Sequence, residues 1–331
     1  MTTTTHMTTT ALTDLVVRAF LASNVSDENA RIVAEALVAA QVDGQGGHGL
    51  SRVAAYAAQA ASGKVQGHAV PQLSNPKPGL VQVDAKNGFA FPALSRAINE
   101  LPAIAQANGI AAAYIYNSHH CGQLGAHVEK LAQAGMAALM VANSPPAMAP
   151  WGGSKPLFGT NPIAFAAPRD IAPPLVIDLS LSRVARGKVM AAAKAGDSIP
   201  EGWALDPDGH PTTDPNAALK GTMLPMGDAK GAALALIVEI LCATLTGANP
   251  SHQATSFFDA DGAPPGVGQT LIAFAPDAQF GARLDGLLSM ILAQDGTRLP
   301  GTARIAKRKD AAQNGIDIPD HLIRDIHDIV G

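Results

Sequence analysis

The spacing of apolar residues predicts helices towards both ends of the chain and strands between them. Near the start, an apolar stripe at helical spacing follows the acidic pair Asp27 and Glu28, as is typical of an amphipathic helix with an acidic first turn. This stripe consists of Ile32, Val33, Ala36, Leu37 and Ala40. A second helix is predicted over residues 50–62, ended by Gly63, and two more helices are predicted after residue 280.

The middle of the chain alternates β-type runs with helical ones. Strands are predicted over residues 79–84, 110–116, 136–142, 163–166, 175–179 and 270–274. Helices are predicted over residues 92–108, 125–134 and 230–246. Residues 197–225 are rich in Asp, Pro, Gly and Thr and are predicted to form a long ordered loop, which either covers a site or interface or is a plain surface excursion. The expected fold class is therefore α/β, in the mixed α+β sense.

Composition predicts the kind of core and excludes some classes of partner. Of the 331 residues, 47% are hydrophobic, 15% are charged and 4% are aromatic, which predicts a compact core built from small side chains. The net charge is −4 and no basic stripe is present, so a nucleic-acid partner is not expected and small molecules are the expected ligands.

The two cysteines and the N-terminal segment predict the cellular setting. Cys121 and Cys242 lie far apart and match no metal-ligand spacing, so neither a disulfide nor a metal site is expected. Residues 1–10 lack the features of a signal peptide, and no apolar run reaches the roughly 18 residues of a membrane span. We expect a cytoplasmic protein that does not bind membranes.

Residues 47–52 read Gly-His-Gly-Leu-Ser-Arg and place an imidazole four residues before a guanidinium at a helix start. His48 can exchange a proton near neutral pH, and Arg52 can bind a carboxylate through two hydrogen bonds. The pair suits an enzyme that protonates an atom next to a carboxylate, although an ordinary helix start with a solvated arginine has the same pattern.

Three glycines near this pair match the dinucleotide-binding pattern G-x-G-x-x-G. They are Gly44, Gly46 and Gly49. The Rossmann motif requires a buried strand before the first glycine, whereas the residues before Gly44 are helical in pattern. The sequence therefore predicts that these glycines do not form a Rossmann phosphate loop.

A second polar segment follows the strand predicted at 110–116. Adjacent side chains on extended backbone point to opposite faces, so we expect only one of His119 and His120 to face a given pocket and the other to make a structural hydrogen bond. Gly122 and Gly125, near a helix start, would let backbone N–H groups approach a phosphate. A strand-to-helix turn without a ligand has the same pattern.

Three further segments carry candidate ligand-binding groups. Thr160 lies in a loop made rigid by prolines on both sides, which could hold its hydroxyl against a substrate oxygen. Asp178 ends a predicted strand, where it could bind ribose hydroxyls or cap the next helix. Arg298 and Arg304 flank a proline turn and suit a 2′-phosphate, although two solvated arginines would give the same sequence.

Several segments together resemble one enzyme family. The chain resembles the type-2 malate/L-lactate dehydrogenases in the segments GHGLSR, NSHH, PLFGTNPIAF, IDLSLSRVARGK and RLPG, and in the lysine-glycine turn before a long helix. That family also contains ureidoglycolate dehydrogenase, L-sulfolactate dehydrogenase and the Δ1-piperideine-2-carboxylate/Δ1-pyrroline-2-carboxylate reductases. The resemblance implies a non-Rossmann NAD(P)-binding fold with a largely antiparallel central sheet. It also implies a homodimer with the active site near the subunit interface.

We expect residues 1–75 and 281–331 to form a helical domain, and residues 76–280 to form the region that binds NAD(P) and substrate. By the resemblance, His48 is the catalytic acid. The substrate-binding residues implied are Arg52, Thr160 and Gly187. The cofactor-binding residues implied are His120, Cys121, Gly122, Gln123, Leu124, Asp178, Leu179, Ser180, Lys230, Arg298 and Arg304. The expected cofactor is NADPH, with NADH as the alternative.

Within the family the chain resembles the cyclic-ketimine reductases most. The expected reaction is hydride transfer from NADPH to C2 of a cyclic imino acid, giving L-proline or L-pipecolate. The alternative is a 2-hydroxy-acid dehydrogenase of the malate, L-lactate or ureidoglycolate type. Two other classes are a metal-dependent hydrolase, which the spacing disfavours, and a non-catalytic binding protein.

Two positions depart from the ketimine reductases. Gly47 replaces the serine that precedes their catalytic histidine, and Lys188 replaces an aspartate of their proposed proton relay. The Arg186-Gly187-Lys188 run instead resembles the hydroxy-acid branch. If Lys188 lies near His48, like-charge repulsion should lower the pKa of the imidazole.

Overall fold

The computed structural model describes residues 3–331, which form eleven α-helices and eleven β-strands. The helices are α1 (Thr9–Ala22), α2 (Asp27–Val42), α3 (Val53–Ala61), α4 (Ala90–Asn108), α5 (Leu124–Gln133), α6 (Arg186–Ala195), α7 (Pro215–Lys220), α8 (Ala229–Glu239), α9 (Phe280–Leu292), α10 (Thr302–Asn314) and α11 (Asp320–Val330). The strands are β1 (Thr4–Met7), β2 (Gln72–Lys77), β3 (Leu80–Asp84), β4 (Ile110–Ser118), β5 (Ala137–Ala142), β6 (Ile163–Ala167), β7 (Leu175–Leu179), β8 (Ala204–Leu205), β9 (Thr222–Met223), β10 (Val267–Phe274) and β11 (Ile316–Pro319).

Seven strands form one central sheet in the order β2-β3-β4-β10-β5-β6-β7. Only β3 and β4 pair in parallel, and α4 supplies the crossover that a parallel pair requires. All other neighbours in the sheet are antiparallel. The predicted mixed class and the largely antiparallel central sheet are therefore confirmed.

Apolar side chains cover both faces of the sheet. Along β5, Ala138 and Met140 belong to the core beneath α4 and α5, whereas Val141 belongs to a second core that includes Val238 of α8. This division follows from the alternation of side chains along a strand. A third apolar cluster joins α1, α2, α3 and α11, and the two chain ends meet there because β1 pairs with β11.

The structure contains several elements that the sequence did not predict, because they form only by pairing with distant segments. The strands β1, β2 and β11 were not predicted, since they are short or exposed and become regular only by pairing with partners distant in the sequence. Helix α6 was not predicted either. Residues 197–225 are not simply a loop, because they contain β8, α7 and β9.

The C-terminal third also differs from the prediction. Three helices, not two, follow β10. The long helix predicted to reach residue 246 is regular only as far as Glu239, and Ile240–Thr244 form a π-helical turn. That turn packs against β10. Such π-helical turns are rare and usually only one turn long.

Candidate active site

The candidate residues gather at one end of the central sheet. The register pairs Ser118 at the end of β4 with Val267 at the start of β10, and Ile163 at the start of β6 with Leu179 at the end of β7. Ala142, at the end of β5, lies at the same level. The loops that carry the predicted histidines, Thr160 and Asp178 therefore all leave the sheet at this end.

His48 and Arg52 lie on two consecutive 3-10 turns that follow α2. The Nε of Arg52 donates to the carbonyl oxygen of Gly47 at 2.7 Å, and its guanidinium lies 4.3 Å from the ring centre of Phe258. The Nη1 of Arg52 and the Nδ1 of His48 are buried without a hydrogen-bond partner among residues 3–331. Because an unpaired buried polar group is unfavourable, these two atoms indicate a ligand position.

The imidazole of His48 is neutral at physiological pH. Burial, followed by the positive charge of Arg52, lowers the pKa of His48 to about 4. The predicted lowering is present, but its predicted cause is wrong. Lys188 is exposed in the first turn of α6 and is not among the groups that shift this pKa.

The two adjacent histidines have different partners. His120 stacks on His48, with ring centroids 5.2 Å apart, and its Nδ1 is hydrogen-bonded to the hydroxyl of Tyr56. His119 makes the structural hydrogen bond predicted for one of the pair, through Nε2 to Oε1 of Gln59 at 2.8 Å. Both rings also contact Tyr56 and Phe257. Strand β4 ends at Ser118, and the backbone beyond it is not extended strand.

The segment from residue 120 to 124 leads into α5, where Asp178 caps the helix. The Oδ2 of Asp178 accepts from the backbone N–H of Gly125 at 2.7 Å. The carboxylate therefore caps the helix that precedes it in the chain, not the next one as predicted. Gln123 donates to the Oδ2 of Asp43 at 2.9 Å, and burial raises the pKa of the Cys121 thiol to about 12. Cys121 is therefore a neutral thiol in this segment.

Backbone hydrogen bonds join three further candidate segments. The carbonyl of Thr160 accepts from the N–H of Leu181, and the carbonyl of Leu181 accepts from the N–H of Met226. Thr160, the residues after β7 and the loop before Lys230 are therefore neighbours. The hydroxyl of Ser180 accepts from the hydroxyl of Ser182 at 3.2 Å and lies 3.5 Å from its carbonyl oxygen. Lys230 is exposed in the first turn of α8.

The remaining candidates lie on the surface or in an ionic cluster. Gly187 is exposed, and a Cβ built there meets nothing within 4 Å. Arg298 is exposed and forms no ion pair with residues 3–331. Arg304 lies 3.6 Å from Glu129 and 3.9 Å from Asp43, so two carboxylates already share its guanidinium.

Sequence reasoning missed two buried residues of the site. Tyr56 lies four residues after Arg52, and this helical spacing is the signal that could have found it. Asn161 is fully buried with φ 40°, and its Nδ2 donates to the carbonyl of Ala235 and to Oε2 of Glu239. It thereby ties the Thr160 loop to α8. A polar residue beside a proline in a rigid loop was the available signal.

Within residues 3–331, no group of three or more His, Cys, Asp or Glu side chains is placed to hold a metal ion. None of the helices in this range has the length and apolar character needed to cross a membrane.

The fold and the site define an α/β enzyme outside the Rossmann class. The sequence matches the family described as malate/L-lactate dehydrogenase over residues 7–327, and the chain belongs to this family of oxidoreductases. The predicted family and enzyme class are thereby confirmed.

Similar proteins include two substrate types. The chain is 49% identical to a (2R)-3-sulfolactate dehydrogenase (NADP(+)) of Chromohalobacter salexigens, over 94% of each chain. It is 41% identical to a Δ1-pyrroline-2-carboxylate/Δ1-piperideine-2-carboxylate reductase of Pseudomonas putida, over 97% of this chain and 96% of the relative. The crystal structure of Δ1-piperideine-2-carboxylate reductase from Pseudomonas syringae pvar. tomato superposes with a TM-score of 0.93 at 39% identity, over 98% of this chain and 99% of that one.

Proposed function

We propose that this protein is an NADPH-dependent dehydrogenase that interconverts a small 2-hydroxy acid and its 2-oxo acid by hydride transfer at C2. The observation that carries the proposal is the neutral His48 beside the cationic Arg52. A neutral imidazole is ready to accept the proton of a C2 hydroxyl, and a guanidinium is ready to bind the neighbouring carboxylate. The (2R)-3-sulfolactate dehydrogenase (NADP(+)) relative supports the choice of substrate class and of cofactor.

The charge of the site favours an oxo acid over a cyclic imine. Arg52 lowers the pKa values of His48, His119 and His120, and Lys64 also lowers that of His119. No carboxylate among residues 3–331 acts on them. A ring imine becomes cationic when its nitrogen is protonated, and nearby positive charges disfavour that form. A 2-oxo acid carries only negative charge, which the same groups stabilise.

In the proposed mechanism, Arg52 binds the substrate carboxylate and His48 exchanges the proton of the C2 oxygen. Burial is the larger cause of the low His48 pKa, but an anionic substrate beside Arg52 offsets the second cause and so favours the protonated imidazole that donates during reduction. Thr160 is the proposed partner for a second substrate oxygen. Gly187 is proposed to line the substrate site.

The cofactor residues remain the predicted ones, with a division of roles that the geometry supports. We propose that the nucleotide is bound by the backbone from His120 to Leu124 and by Oδ1 of Asp178, the carboxylate oxygen that does not accept from Gly125. Leu179 and Ser180 are proposed to contribute to the same site. Lys230 and Arg298 carry no ion pair within residues 3–331 and are therefore available for phosphate groups. Arg304 is less available because of its two carboxylate neighbours. When bound, NADPH supplies the hydride.

A second candidate is the predicted reduction of Δ1-piperideine-2-carboxylate or Δ1-pyrroline-2-carboxylate. The 41% identical reductase and the superposed reductase structure favour it. Parallel assays with 3-sulfopyruvate, oxaloacetate, pyruvate and both cyclic imines, each with NADPH and NADH, separate the candidates. We expect kcat/KM for one oxo acid to exceed that for either imine at least about tenfold, since one adverse charge contact is worth about 1.4 kcal/mol. The reverse ratio would establish imine reduction instead.

We also propose that the protein is a homodimer. Along α8 and the turn after it, five apolar side chains are 40 to 51% exposed, and the acidic residue between them, Glu239, is buried. The five are Leu234, Leu236, Ile237, Ile240 and Leu245. An uncharged apolar face of this kind suits burial against a second copy. Light scattering should give twice the chain mass, and an Ile237→Glu variant should give the single-chain mass.

We further propose a cytoplasmic location and the domain boundaries expected above.

A further inference from the structure

A buried tyrosine lies directly behind the stacked histidine pair. Tyr56 is fully buried in α3, one helical turn after Arg52, and its hydroxyl is hydrogen-bonded to Nδ1 of His120. The ring of Tyr56 packs against Phe89 and His119, with centroids 5.7 and 5.0 Å away. This packing holds the hydroxyl in one place.

The direction of this hydrogen bond depends on the tautomer of His120. Burial raises the pKa of Tyr56 well above its usual range, so the hydroxyl keeps its proton. Burial, with the positive charge of Arg52, lowers the pKa of His120, so this imidazole is neutral and carries one ring proton. A hydroxyl that donates to Nδ1 of a neutral imidazole places the ring proton on Nε2.

We propose that Tyr56 is a positioning residue that fixes His120 as the Nε2–H tautomer and so provides a second neutral hydrogen-bond donor beside His48. This inference rests on the proposed function, because the ligand of the His48–Arg52 site is what this N–H meets. Without Tyr56, the ring proton can move to Nδ1, and Nε2 then presents a lone pair to a ligand oxygen. That oxygen loses a hydrogen bond in a buried site.

A double-mutant cycle tests the tautomer role. Tyr56→Phe removes only the hydroxyl, while His120→Gln supplies an amide N–H and has no tautomer to select. We expect Tyr56→Phe to lower kcat/KM about tenfold with His120 present, and less than about twofold in the His120→Gln background. Tyr114→Phe, on β4, is the matched control. Equal losses in the two backgrounds, or a loss no larger than that of Tyr114→Phe, would overturn the proposal.

A spectroscopic measurement separates this inference from the proposed function. In the free protein labelled with 15N-histidine, the signals of His120 are assigned by their loss in the His120→Gln variant. We expect an unprotonated Nδ1 in the wild-type protein and a mixture of tautomers in Tyr56→Phe. A protonated Nδ1 in the wild type would refute the role of Tyr56 whatever the substrate is. Absence of turnover with an unprotonated Nδ1 would refute only the proposed function.

Discussion

The rings of His48 and His120 lie face to face, with centroids 5.2 Å apart and planes inclined by 12°. Two stacked imidazoles repel each other strongly when both are protonated, and Arg52 adds a third positive charge nearby. The two rings therefore do not carry a proton charge at the same time. In the proposed mechanism, neutral His48 is ready to accept a proton, and a bound anion beside Arg52 favours its protonated form.

Replacement of His48 tests its assignment as the proton-exchanging group. We expect His48→Asn to lower kcat by about 10²–10⁴-fold, the usual contribution of general acid–base catalysis. The Kd for NADPH, measured by fluorescence titration, should change little. The control is His68→Asn, since His68 is exposed. A rate near that of wild type for His48→Asn would remove His48 from the mechanism.

Oxidation and reduction should depend on pH differently, because they need opposite protonation states of His48. Oxidation uses neutral His48, whose pKa in the free enzyme is about 4, so kcat/KM for oxidation should stay constant from pH 6 to 9. Reduction needs the protonated ring, so its kcat/KM should fall as pH rises over the same range. The measurement is kcat/KM at half-unit steps in both directions. A reduction profile flat from pH 6 to 9 would contradict proton donation by His48.

Stability should fall on mild acidification. The pKa values of His48, His119 and His127 are about 4, 3 and 4 in the folded protein, below the ordinary value of 6.5. Below pH 6.5 the unfolded chain therefore binds protons that the folded protein does not. The histidine contribution is complete above this pH and is lost as pH falls towards 4.

Urea unfolding at several pH values checks this expectation. The free energy of unfolding should decrease from pH 7.5 to pH 4.5, and His127→Gln should lower the slope by about one proton, or about 1.4 kcal/mol per pH unit. A wild-type free energy that is constant over this interval would contradict the buried neutral histidines.

Arg308 should contribute more to stability than an exposed arginine in an ion pair. It contacts Asp43 at 2.6 Å and Glu129 at 2.9 Å, and the side chain of Asp43 is fully buried. We expect Arg308→Ala to lower the free energy of unfolding by about 3 kcal/mol, because two poorly solvated carboxylates lose their main partner. Arg283→Ala, which breaks an exposed pair with Asp277, should have a much smaller effect. Equal effects in urea unfolding would contradict the buried cluster.

Two glycines should respond differently to a methyl group. A Cβ at Gly159 would lie 2.3 Å from the Oγ of Ser144, so Gly159→Ala should destabilise the protein by about 1–3 kcal/mol. Gly187 has open space around it and lies in the first turn of α6, so Gly187→Ala should leave stability unchanged or slightly higher. Thermal unfolding compares the two. A raised KM in Gly187→Ala, without loss of stability, would support its proposed place in the substrate site.

Several elements and residues could be predicted because their signals are local. The stripe of α2, the β-branched run of β10 and the end of α4 at Gly109 depend on neighbours in the sequence. The short spacing between His48 and Arg52 likewise led to the proposed catalytic pair. The failed Rossmann pattern correctly excluded that fold, because the motif needs a strand that the sequence does not provide.

The sequence by itself determined the mixed class and the family, and it placed His48 and Arg52 one helical turn apart, since each depends on residue type and short spacing. Only the tertiary structure decided that Asp178 caps α5, that Arg304 lies between two carboxylates and that His120 stacks on His48. Those contacts join residues tens to hundreds of positions apart, and they form only when strands and helices pack. The neutral state of the histidines has the same origin, because burial, and not residue type, lowers their pKa values.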